Sequence, residues 1–117
     1  MTQTVHRMRL HAEPFAQISA GKKQVELRLN DEKRQNISVG DTVIFTSRES
    51  GEELKMRVIG RVLFKDFRTL EEFMTSERCG FTRDAPAGYD LTFMDKIYSA
   101  ADIAKFGALG LVIELTA

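Results

Sequence analysis

Apolar and polar residues alternate from Val5 to His11, with Val5, Arg7 and Arg9 pointing one way and His6, Met8 and Leu10 the other. That period of two predicts a first strand with Met8 and Leu10 inward. Glu13-Pro14-Phe15 then opens a helix, because Pro14 near a helix start gives up no needed N–H, and Phe15 and Ile18 fall on one core-facing side. Gly21 closes it as the residue best suited to a left-handed cap. The period returns to two at Val25, Leu27 and Leu29, which leaves Gln24, Glu26, Arg28 and Asn30 on the opposite face. Asn30 to Arg34 reads as a polar turn and Val39-Gly40-Asp41 as a second, before the buried strand Thr42-Val43-Ile44-Phe45.

Ser50-Gly51-Glu52 reads as a hairpin turn into a long strand from Leu54 to Phe64. Its inward positions are Leu54, Met56, Val58, Val62 and Phe64, and the phase changes at Gly60, a predicted bulge or bend. Thr69-Leu70-Glu71-Glu72 fits a capping box with Thr69 as N-cap, and Ser99-Ala100-Ala101-Asp102 opens another helix that ends near Gly107. Between them, Gly80, Pro86 and Gly88 mark Cys79 to Asp90 as an exposed loop, followed by a helical stretch around Leu91 to Tyr98. Leu109 to Leu115 supplies a final strand. Short strands with interposed helices predict an α+β domain on a small barrel or strongly bent mixed sheet, flanked by short helices. No repeat, low-complexity tract or linker divides the chain, so residues 1–117 are read as one domain.

Composition narrows the class. A chain of 117 residues suffices for one core, burying roughly 60 to 70% of the surface its unfolded form exposes. Hydrophobic residues at 43% and charged residues at 29% belong to a globular chain rather than a disordered or collagen-like one. The longest apolar stretches, such as Gly107 to Ile113, fall far short of the ~20 residues that span a bilayer. Met1-Thr2-Gln3 opens no signal peptide, so the expectation is no membrane association and a cytoplasmic location. The single cysteine, Cys79, allows no internal disulfide, and with only His6 and His11 beside it there is no zinc-ligand spacing. Neither a metal nor a cofactor is expected.

The formal net charge is zero but unevenly spread: residues 1–65 hold twelve Lys/Arg against eight Asp/Glu, and residues 66–117 five against nine. A basic half suits an anionic partner such as nucleic acid, although the overall balance is far from that of dedicated nucleic-acid binders. Its densest stretch is GKKQVELRLNDEKR, from Gly21 to Arg34. One reading makes it the solvated face of an edge strand, where ion pairs contribute about 0 to 1 kcal/mol. The other makes it a ligand site. Glu26 and Arg28 share a strand face, and Lys23 at the helix-to-strand turn can swing toward them. The two cations would then hold phosphate or a carbonyl, while Glu26 accepts from a base or ribose donor.

The spacing Gly-x-Lys-x-x-Glu-x-Arg at Gly21, Lys23, Glu26 and Arg28 resembles the signature of the ASCH family, the activating-signal-cointegrator homology domains related to PUA RNA-binding domains. The first strand leading to Pro14-Phe15, the Gly40-Asp41 turn before a strand, and Phe106-Gly107 running into the last strand extend the resemblance over nearly the whole chain. It implies a PUA-like β-barrel with helices at its ends and a cleft near the motif for RNA or a nucleotide-like ligand. The binding candidates are Lys23, Glu26, Arg28, Lys33 and Arg34, with Tyr89 in the loop as the stacking candidate.

One branch of that family resembles small amidohydrolases acting on N4-acetylcytidine through a lysine, a threonine and a glutamate. Lys23 matches the lysine, but Glu26 stands at the hydroxyl position, so the hydroxyl-based route does not transfer. Lys23 and Glu26 are the catalytic candidates of this alternative, and the motif offers no clear general base. The remaining reactive residues read as structural. His6 is expected to be partly buried and satisfied, His11 to close the first strand, and Gly40-Asp41 to be a turn without chemistry. Cys79 reads as an inert thiol despite neighbouring Arg78 and Arg83. Phe81, Phe93 and Tyr98 are further stacking candidates at the cleft rim, but helical spacing makes Phe93 and Tyr98 mainly core residues, and no exposed apolar stripe marks a protein-interaction surface.

Overall fold

In the computed structural model, which describes residues 4 to 81 and 90 to 116, the first alternating segment becomes strand β1 (Val5–Leu10), with Met8 and Leu10 buried. Helix α1 (Ala12–Ser19) carries Phe15 and Ile18 into the core. It ends in a Schellman turn, with Lys22 N–H donating to Gln17 O and Gly21 N–H to Ile18 O, each at 3.0 Å. Gly21 has φ +77, a left-handed conformation that glycine adopts without a Cβ clash. The turn leads the chain into β2 (Val25–Leu29). A 3-10 turn at Arg34–Asn36, β3 (Thr42–Ser47), β4 (Glu53–Phe64), α2 (Phe67–Met74), α3 (Thr92–Ile97), α4 (Ala100–Phe106) and β5 (Ala108–Leu115) follow.

The five strands form one mixed sheet in the order β1-β3-β4-β5-β2. β1 runs parallel to β3, and the other neighbours are antiparallel. The register between β4 and β5 shifts at Val58/Gly60, where a Cβ on Gly60 would lie 3.2 Å from Val112. This is the bulge predicted from the phase change, and it bends the longest strand. The sheet curls into a half-barrel flanked by four short helices among the described residues. Its two edge strands, β1 and β2, approach across the opening, where Arg28 Nη2 donates to Arg9 O at 3.0 Å.

One apolar cluster joins β1, α1, β3, β4 and β5 through residues such as Leu10, Phe15, Phe45, Val58 and Leu111. A second packs Val25 and Leu27 of β2 against Leu70, Met74 and Met94 of α2 and α3. Glu26 lies opposite Leu111 and Arg28 opposite Leu109, so both charged residues share the face of the first cluster. β2 is an edge strand, as one reading had it, but its polar face is not solvated: Glu26 is 3% exposed.

Two further expectations are corrected. Helix α2 starts before Thr69: its N-cap is Asp66, whose carboxylate accepts the Thr69 N–H at 2.8 Å. Asp is the stronger cap, and the earlier start buries Phe67 together with Leu70. Cys79 and Gly80, read as the start of an exposed loop, are buried. The rest of that loop, including Arg83, Pro86 and Tyr89, lies outside the described residues. Ser99 caps α4 as expected, accepting from Asp102 N–H at 3.1 Å. His6 is partly buried, with Nε2 2.8 Å from Asp41 Oδ2. Burial opposes the Asp41 charge, yet the Ser38 N–H and His6 hold its carboxyl below the usual range, so the turn is braced. Among the described residues no helix is long and apolar enough to cross a membrane.

Candidate functional site

The Schellman turn delivers Lys23 just before β2, and the segment after α2 closes over it. Gln24 and Val25 N–H both donate to Arg78 O, at 2.8 and 2.9 Å, which ties that segment to the start of the strand. Thr75, at φ +76, begins the closure in a conformation unusual for a β-branched residue, with a cost on the order of 1–3 kcal/mol. Gly80, at φ +90, lies on the Lys23 stem, where an added Cβ would sit 3.0 Å from Cδ. Only glycine leaves room there. Cys79 O accepts from Lys23 Nζ at 3.0 Å, and the Phe81 ring centroid is 5.8 Å from the ammonium.

Lys23, Glu26 and Arg28 meet beneath this cover. Glu26 Oε1 is 3.3 Å from Lys23 Nζ, and Oε2 accepts from Arg28 Nε at 2.8 Å. Burial works against a charged Glu26, but Lys23 and Arg28 outweigh it and hold the carboxyl below its ordinary range. Burial also works against a charged Arg28, and Glu26 and the Tyr98 hydroxyl outweigh it. The cluster is therefore a charge-locked unit rather than three solvated side chains.

It forms one side of a cavity of about 120 Å³ at the opening of the half-barrel. Arg9, His11 and Arg48 line the cavity at the β1 and β3 ends, and Phe81, Phe93, Met94, Ile97 and Tyr98 line the other wall. His11 meets Phe93 edge-on at 5.9 Å, and Tyr98 stacks on Phe67 at 5.9 Å and 11°. Arg9 and Arg48 are exposed, and neither side chain makes an ion pair among the described residues.

Of the residues singled out from the sequence, the structure brings Lys23, Glu26 and Arg28 together and leaves Lys33 and Arg34 apart from the cavity. Lys33 is exposed, and Arg34 pairs with Asp31 at 3.0 Å while its carbonyl accepts from Arg61 Nη1 at 3.0 Å. Tyr89 lies outside the described residues. The Cys79 thiol is pushed up to about 11, chiefly by burial, which fits an inert role. Sequence reasoning missed Arg9, His11 and Arg48, and it placed Phe93 and Tyr98 mainly in the core; both pack, partly buried, against the second apolar cluster and also line this cavity. Arg9 had a weak signal in its outward place on β1. Arg48 had none, because the parallel pairing of β1 with β3 brings it there, with Arg48 N–H donating to Leu10 O at 2.8 Å.

Among solved structures, hypothetical protein PH0355 matches at TM-score 0.82 and 30% identity, covering 97% of this chain and 100% of that one. Protein PF0455 from Pyrococcus furiosus matches at 0.69 and 28%, covering 96% and 97%. An ASCH structure from Zymomonas mobilis shares the fold at 0.67 and 15% identity, covering 97% of this chain and 68% of its own. A search of curated proteins found no match. The ASCH domain model matches residues 8–116, a span that takes in the Gly21–Arg28 motif and all five strands but the start of β1, and this chain belongs to the ASCH domain family.

Proposed function

We propose that the cleft between β1 and β2 binds RNA or a nucleotide-like ligand. One observation carries the reading: a single cavity is lined by the Lys23–Glu26–Arg28 unit, by aromatic side chains and by two exposed arginines, Arg9 and Arg48, that make no ion pair among the described residues. Guanidinium groups free of carboxylates suit phosphate oxygens, and the Phe93 and Tyr98 rings offer surfaces for a base. The association of the ASCH family with RNA binding in general supports the same reading.

Fluorescence anisotropy with a short single-stranded RNA tests it. Arg9→Ala and Arg48→Ala should each weaken binding and reduce the slope of log K against log salt by roughly 0.7, as expected for one lost phosphate contact on a single strand. Circular dichroism should not change, since both side chains are exposed. Unaltered affinity and slope in both variants would refute the reading. The amidohydrolase alternative draws no support from this geometry. Glu26 has both oxygens committed to cations and a lowered pKa, the opposite of what a general base near neutral pH requires. Incubation with N4-acetylcytidine should release no cytidine.

A further inference from the structure

Hydrogen-bonding capacity in the cleft is one-sided. Among the described residues Glu26 is the only carboxylate lining it, and its oxygens face Lys23 at 3.3 Å and Arg28 at 2.8 Å. At 3% exposure it is closed to a ligand. The Arg9 carbonyl is occupied by Arg28 Nη2 and the Cys79 carbonyl by Lys23 Nζ, each at 3.0 Å. Donors, by contrast, remain. The half-buried Arg28 guanidinium carries more N–H groups than these contacts consume. The Tyr98 hydroxyl, which interacts with Arg28, lines the same cavity and carries an O–H of its own. His11, at the exposed rim, can present either role through its tautomer.

Taking the cleft as the nucleotide site proposed above, we infer that it selects keto bases, those with oxygen at pyrimidine C4 or purine C6, over amino bases. A keto oxygen accepts from Arg28 or Tyr98. An exocyclic amino group in the same place sets donor against donor and leaves buried N–H groups unpaired. A phosphate oxygen is also an acceptor, but the Glu26 carboxylate beside Arg28 repels an anion there. The inner wall, with Leu27 and Met94, is apolar and buried. Arg9 and Arg48, which make no ion pair among the described residues, are where phosphate belongs.

The test compares RNA pentamers of equal charge in two pairs, inosine against adenosine and uridine against cytidine, by fluorescence anisotropy on the intact protein. Within each pair the keto oligomer should bind about ten- to a hundredfold tighter. Tyr98→Phe, which keeps the ring and removes only the hydroxyl, should narrow that ratio several-fold, and inorganic phosphate as competitor should weaken both members of a pair alike. Equal affinities within both pairs, or a preference for the amino members, would overturn the inference while leaving RNA binding intact. A preference erased by phosphate would also overturn it, since the inner donors would then be an anion site. If no pentamer binds, the proposed function itself fails and the inference with it.

Discussion

The fourteen residues from Gly21 to Arg34 build two clusters of cations that end in opposite conditions. Lys23, buried, and Arg28, half-buried, pair with one buried carboxylate and line a cavity. Arg34 belongs instead to a brace. Arg61 reaches from β4 to Arg34 O at 3.0 Å, Ile37 O at 3.1 Å and Asn30 Oδ1 at 2.6 Å, pinning the turn after β2, while Arg34 pairs with Asp31. Charge density along the sequence is therefore a poor guide to a site. What separates the clusters is topology, because the edge-to-edge approach of β1 and β2 makes a cleft at one and leaves the other on the outside of a turn.

The largest effect should come from Glu26. Glu26→Gln leaves the buried Lys23 and the half-buried Arg28 without their counter-charge, and about 3 kcal/mol of stability should be lost in urea unfolding at neutral pH. The pH dependence follows from the same group. Its folded pKa lies below the ordinary 4.5, so its contribution is fully present above the unfolded value and is lost as pH falls through the folded one. The variant should show a shallower acid limb, with the remainder owed to Asp41 and Asp66, whose pKa values are also lowered.

Arg61→Ala should rank next, costing about 2 kcal/mol through the loss of charged hydrogen bonds to three acceptors. Because Arg61 lies outside the cavity, RNA affinity should survive wherever the variant is folded. Lys33→Ala and Arg34→Ala should have the smallest effects. Their side chains are solvent-exposed or in a partly exposed pair, worth about 0 to 1 kcal/mol, and neither should alter the anisotropy titration. A large affinity loss in either would erase the contrast between the two clusters.

Much of the fold was legible because its signals are local. Alternation at Val25, Leu27 and Leu29, the left-handed Gly21, the break at Gly60 and the Ser99 cap each depend on a few neighbouring residues. Competition between local signals misplaced one element, where Asp66 took the capping role that Thr69 also fits. The site was half legible. Period two put Glu26 and Arg28 on one face but could not say whether that face was covered, since the cover comes from Arg78 to Phe81, far along the chain. Arg9, Arg48 and Tyr98 join the same cavity through the parallel β1–β3 pairing and the docking of α3, contacts that no sequence period encodes.

The central claim is that the cleft, and not the charged turn beside it, meets RNA. It is tested most directly by titrating the isotope-labelled protein with a short single-stranded RNA and following two-dimensional NMR shifts. The side-chain signals of Arg9, Arg28 and Arg48 and the backbone amides of Lys23 and Tyr98 should move with saturable dependence on RNA, while those of Lys33, Arg34 and Arg61 stay in place. Shifts concentrated at Lys33, Arg34 and Arg61, with the cleft unmoved, would contradict it.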